Sequence, residues 1–256
     1  MNTMREQFLF LLNPSAYFRL FKEIVQSLLN PEIKQEKPFT ISNLKIVVMV
    51  FIIGFIFKIV GLLANQLISN RIDTDYSHSE KIPLIITVIF VGIIAPIIEE
   101  LIFRLPLKFS AQNIAISSSI FLFTFSIGYI IRDKVKDIFE SVILQKIINL
   151  SILIIISYLI FRLLFFILIK FEDKISEMSR HHFSKFFYFY TIAFGLIHIT
   201  NFPITMKSIL FIIPVTLPQI LSGFFLGYTR INYGLKYSIF QHSLGNIALI
   251  VFSNSG

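Results

Sequence analysis

From Ile82 to Ile98 the chain runs without one charged residue and then meets two adjacent carboxylates, Glu99 and Glu100. An apolar stretch of about 17–25 residues reads as a membrane-crossing helix. In hydrocarbon every backbone N–H and C=O has to be paired inside the segment, so helices are the solution open to a chain patterned like this. A carboxylate at that depth costs roughly 2.5–3.5 kcal/mol even on lenient insertion scales, so the pair must face a protein-lined or watered cavity with partners. Arg104 follows one helical turn later, and His198, His242 and Asn246 recur inside later apolar segments. Together these residues read as a buried site.

Composition supports a single membrane domain. Of 256 residues 55% are hydrophobic and 15% charged, and mean hydropathy is +0.77, too apolar for a soluble globule. Expected spans are 44–67, 82–107, 114–131, 145–170, 184–203, 208–229 and 237–252, which makes an all-α polytopic bundle of about seven transmembrane helices. Ahead of it, residues 1–43 form an amphipathic N-terminal segment. Phe18, Leu20, Phe21, Ile24, Val25 and Leu28 fall at helical spacing there, with Arg19, Lys22 and Glu23 between them, as in a helix lying in the membrane interface or packed on the bundle. No cleavable signal sequence is read in residues 1–30.

The net charge of +8 is scattered between apolar spans and forms no basic stripe, which fits anionic lipid headgroups and argues against nucleic acid. The N-terminal tail and even-numbered loops hold roughly twice the Lys and Arg of the other side, so the positive-inside rule favours a cytoplasmic N-terminus. With no cysteine, disulfides, thiolate catalysis and Cys-based metal sites are excluded.

Glu99-Glu100-Leu-Ile-Phe-Arg104 is E-E-x-x-x-R. On a helix Glu100 and Arg104 are i, i+4 neighbours, so the guanidinium can hold Glu100 ionised and oriented. Glu99 points about 100° away and stays available as a base. Phe194 and His198 form F-x-x-x-H, and His242 and Asn246 form H-x-x-x-N. Imidazole and carboxamide N–H groups can stabilise an oxyanion without a buried charge. Taken singly, each motif is equally an internal ion pair or an interhelical hydrogen-bond clamp.

The ordered set, each motif on its own apolar helix, resembles the CPBP intramembrane protease family, which includes type II CAAX prenyl endopeptidases and lysostaphin-resistance-like (Abi) membrane proteins. The resemblance covers roughly residues 82–252. It implies an intramembrane endopeptidase of a bacterial cell membrane, acting on a membrane-associated peptide or protein. Glu99 with His198 would activate water, Glu100 and Arg104 would support the base, and His242 and Asn246 would stabilise the oxyanion. Two departures stand out: Leu105 replaces the glycine common after the arginine, and residues 113–171 carry an inserted helix pair. A pair of added helices preserves the orientation of everything downstream.

Glu99, His198 and His242 could ligate zinc with water in the fourth position, or act without a metal. The histidines are His78, His181, His182, His198 and His242, which form no H-E-x-x-H, and no G-x-G-D or G-x-S-G occurs; zinc site-2, aspartyl and rhomboid-type proteases do not fit. Gly223 and Gly227 suit close helix packing inside the chain, and Lys58 and Arg162 lie within apolar spans. Two rival readings remain. One is a non-catalytic immunity or regulatory membrane protein that keeps the motif as a structural polar core; the other is a proton-coupled transporter, against which stands the lack of inverted repeats.

Overall fold

A computed structural model describes residues 13–69, 83–124, 142–202 and 204–254. Residues 1–12 of the N-terminal segment, residue 82, the far half of the expected third span (125–131) and His78 lie outside them. The described residues are helical, with no strand among them. Among the described residues four stretches are long and apolar enough to cross a membrane: Ile41–Gln66, Leu84–Leu107, Ile154–His181 and Ile212–Asn232. Outward-facing Ile85, Phe90, Leu159, Leu163 and Phe166 are more than half exposed, a surface suited to lipid and not to water.

The chain divides into two compact units, residues 1–100 with 183–256 and residues 101–182. In the first, α1 (Pro14–Leu29) starts where the Asn13 side chain accepts a hydrogen bond from the Ser15 N–H at 3.0 Å. Its apolar residues divide between two faces. Ala16, Leu20 and Ile24 are buried in a core with Val47, Val50, Phe225 and Tyr228, whereas Phe18 and Leu29 are 61% and 68% exposed.

Helix α2 (Ile41–Ser69) packs on a long helix near the C-terminus, Ile212–Asn232. Between α1 and α2 the chain is irregular and bonded down: Lys34 N–H to Ile231 C=O at 2.8 Å, Lys37 N–H to Tyr233 C=O at 3.0 Å, and Tyr237 Oη to Pro38 C=O at 2.5 Å. Helix α3 (Leu84–Ile89) runs into a π-helical turn, Phe90–Ile94, and then α4 (Ala95–Phe103).

The second unit holds α5 (Ala111–Leu122), α6 (Val142–Leu168) and α7 (Glu172–His181), so the expected insert 113–171 lies within it. Helices α5 and α6 pack on each other, and the Glu172 carboxylate accepts from the Ala111 N–H at 3.2 Å.

The first unit resumes with α8 (Phe183–Ile197), the short α9 (Met206–Leu210), α10 (Ile212–Asn232) and α11 (Leu235–Asn254). Helices α8 and α10 approach closely. A Cβ on Gly223 would lie 2.9 Å from the Thr191 carbonyl, and one on Gly227 2.9 Å from the Phe187 ring, so this G-x-x-x-G serves packing within the chain. The turn into α11 uses Gly234, whose φ of 114° lets its N–H reach back to the Thr229 and Arg230 carbonyls at 3.2 and 3.1 Å.

Candidate active site

Three helices of the first unit bring the site together. Glu99 stands in α4, His198 opens a 3₁₀ turn at the end of α8, and His242 lies about two turns into α11. Glu99 Oε2 is 3.7 Å from His198 Nε2 and 3.6 Å from His242 Nε2. Those separations exceed hydrogen-bond length. Among the described residues that buried oxygen has no hydrogen-bond partner.

The far side of each imidazole fixes what its near side can do. His198 Nδ1 is 2.7 Å from the Phe194 carbonyl. A carbonyl only accepts, so Nδ1 carries the proton, and in the neutral ring the Nε2 lone pair faces Glu99. His242 Nδ1 is 3.1 Å from Glu100 Oε1 and donates to that fully buried carboxylate, which again turns the Nε2 lone pair toward Glu99. Three acceptors therefore converge. Such a cluster is stabilised by a proton, by a donor such as water, or by a cation.

Phe194 orients both rings. Its centroid is 5.0 Å from that of His198 and 5.5 Å from that of His242, edge-on to each, and its backbone supplies the carbonyl just described. It is 2% exposed, while Glu99 and His198 keep 23% and 17%, so the site is dry on one side and reachable on the other.

Both histidines have the anchored second nitrogen that metal-ligating imidazoles use. Tetrahedral zinc, with ligands at 2.0–2.2 Å, wants neighbouring ligand atoms about 3.4 Å apart. The observed spacings are a few tenths wider, and among the described residues no group of three or more His, Cys, Asp or Glu is arranged to hold a metal ion.

The remaining sequence-expected residues take different places. Glu100 backs His242. Arg104 ends the E-E-x-x-x-R motif just past α4, fully buried. Asn246, expected beside His242 at the oxyanion, donates one Nδ2–H to the Val91 carbonyl at 2.9 Å.

Two cations near the carboxylates were not singled out as site residues. Lys58, within the first apolar span, interacts electrostatically with both Glu99 and His198. Arg230 is 1% exposed, binds Glu36 at 2.8 Å and interacts electrostatically with Glu100. The usable signal was position: Lys58 shares a helical stripe with Gly54 and Gly61, which α10 approaches, and Arg230 sits just past an apolar span.

No family model, curated protein or solved structure matches this chain.

Proposed function

We propose that this chain is an intramembrane endopeptidase that hydrolyses a peptide bond in a membrane-associated peptide or protein. The observation that carries the reading is Glu99 Oε2 set 3.6–3.7 Å from two imidazole nitrogens, each ring anchored through its other nitrogen. A water between Glu99 and His198 would lie within hydrogen-bond reach of both, the geometry general-base catalysis requires. Glu99 takes a proton from that water while the oxygen adds to the peptide carbonyl carbon. His242 Nε2, also beside Glu99, would donate to the developing oxyanion once it carries the proton that the three acceptors share, with Glu100 holding Nδ1. The C–N bond then breaks, and the proton held by Glu99 passes to the leaving amine.

The ordered E-E-x-x-x-R, F-x-x-x-H and H-x-x-x-N motifs of the CPBP proteases support the same chemistry. The proposal includes the seven-crossing arrangement with a cytoplasmic N-terminus and α1 in the interface. Exposed Phe18 beside Arg19 and Lys22 is the pattern such a helix needs.

The test is cleavage of a membrane-peptide library by the purified protein in nanodiscs, comparing wild type, Glu99→Ala and His198→Ala with and without chelator. Loss of about 10²–10⁴-fold in both variants is expected for general-base catalysis. Loss of wild-type cleavage on chelation would assign the three acceptors to a metal. Equal cleavage by all three proteins, or none by folded wild type, would overturn the reading in favour of a non-catalytic polar core.

A further inference from the structure

The π turn Phe90–Ile94 and the proline behind it account for the contact that Asn246 makes. At this turn the Ala95 N–H bonds the Phe90 carbonyl, five residues back instead of four. In the same register the next donor would meet Val91 C=O. That donor is residue 96, a proline, which has no N–H. The Val91 carbonyl thus loses its backbone donor by the chain's own sequence, and in hydrocarbon no water would replace that donor. Asn246 Nδ2 fills that place from the neighbouring helix at 2.9 Å.

The approach is close at the turn itself. A Cβ on Gly92 would lie 2.8 Å from Ile247 Cγ1, so α11 rests directly on the turn. Pro96 is three residues before Glu99, and Asn246 is four residues after His242. The bond therefore ties the two helices about one turn beyond His242 on α11 and about two turns before Glu99 on the other side of the contact.

We infer that Asn246 is a positioning residue: its carboxamide replaces the N–H that Pro96 lacks, clamps the π turn to α11, and sets the Glu99–His242 spacing. This differs from an oxyanion donor in one decisive respect. Returning an N–H at residue 96 should make the clamp dispensable, whereas it would do nothing for a missing oxyanion donor. The inference rests on the hydrolase reading only for its kinetic readout.

The experiment is a double-mutant cycle of Asn246→Ala and Pro96→Ala in the full chain in nanodiscs. Three quantities are read: thermal unfolding, turnover on a cleaved library peptide, and the distance between spin labels at cysteines replacing Ile89 and Phe252. The chain has no cysteine of its own, and both positions are exposed. Asn246→Ala alone should lower Tm by several degrees, broaden the label distance, and reduce kcat with KM retained. In the Pro96→Ala background the same substitution should leave Tm and distance unmoved, and most of its kcat loss should disappear.

Equal losses in both backgrounds would overturn the inference and return Asn246 to a direct role. An unchanged Tm and distance for Asn246→Ala alone would overturn it too. If Tm and distance follow the cycle while no protein cleaves, wild type included, the positioning role stands and the hydrolase reading falls.

Discussion

Gly195 offers the sharpest test of how the α8–α10 crossing supports the site. A Cβ built there would sit 2.2 Å from Ile220 Cγ1, 2.7 Å from Ile220 Cα and 2.8 Å from Ile220 N. The side-chain carbon can rotate away, but the two backbone atoms cannot. To bring 2.7 Å up to an ordinary 3.4 Å contact, the helices must part by about 0.7 Å. His198, three residues on, begins the 3₁₀ turn directly after α8, so it moves with the strain and the 3.7 Å spacing to Glu99 opens.

Overpacking costs about 1–3 kcal/mol. Against it, alanine is favoured over glycine in a helix by about 1 kcal/mol. Gly195→Ala should therefore destabilise by about 0–2 kcal/mol net. Gly245, on α11 between His242 and Asn246, is the control, because a Cβ there meets nothing nearer than Phe51 Cε2 at 3.6 Å. Gly245→Ala should stabilise by up to about 1 kcal/mol.

Circular dichroism melts in nanodiscs read the difference, and cleavage assays read the site. A misplacement approaching 1 Å costs up to about 10²-fold in rate, so Gly195→Ala should lose roughly 10–100-fold in kcat. Equal melts and equal turnover for the two alanine variants would refute the claim that this crossing sets His198.

Glu36→Gln removes the carboxylate beside the buried Arg230 guanidinium, whose hydrogen bond is 2.8 Å. A loss of about 1–3 kcal/mol is expected, read as a lower melting temperature, and a neutral result would mean that Glu100 alone suffices as counter-charge. Tyr188→Phe deletes the hydroxyl that donates to the Leu28 carbonyl at 2.5 Å; about 1 kcal/mol of stability should be lost, with faster amide exchange at the end of α1. Tyr233, between α10 and α11, has its phenol pushed up to about 12 by burial and by the nearby Glu23 carboxylate. Because the folded state holds this proton more tightly than the unfolded chain, its contribution is complete below pH 10 and is lost as pH climbs toward 12. Alkaline melts of Tyr233→Phe should show a weaker decline over that window; an identical decline would refute the assignment.

The sequence determined class, local helicity and the chemical inventory of the site. Uncharged runs such as Ile82–Ile98 leave helix as the structure that pairs its own backbone, whatever packs around it. Helical spacing in α1 was equally legible, because it follows from 3.6 residues per turn. The same spacing did not reveal which face of α1 is buried. Phe18 and Val25 match Leu20 and Ile24 in apolarity, and only packing against Val47, Val50 and Phe225 separates them.

Pairing across helices is a matter of contact between residues far apart in the chain. That Glu99, Glu100, His198 and His242 belong together could be suspected from polar residues that membrane cores tolerate poorly. That His242 turns one nitrogen to Glu100 and the other to Glu99 was decided by how α4 and α11 face each other. Pro96 announces a missing N–H in the sequence itself, but which carbonyl it orphans depends on the π register of the turn. The residue that answers it lies 155 positions beyond Val91, on a helix that only the tertiary fold brings near.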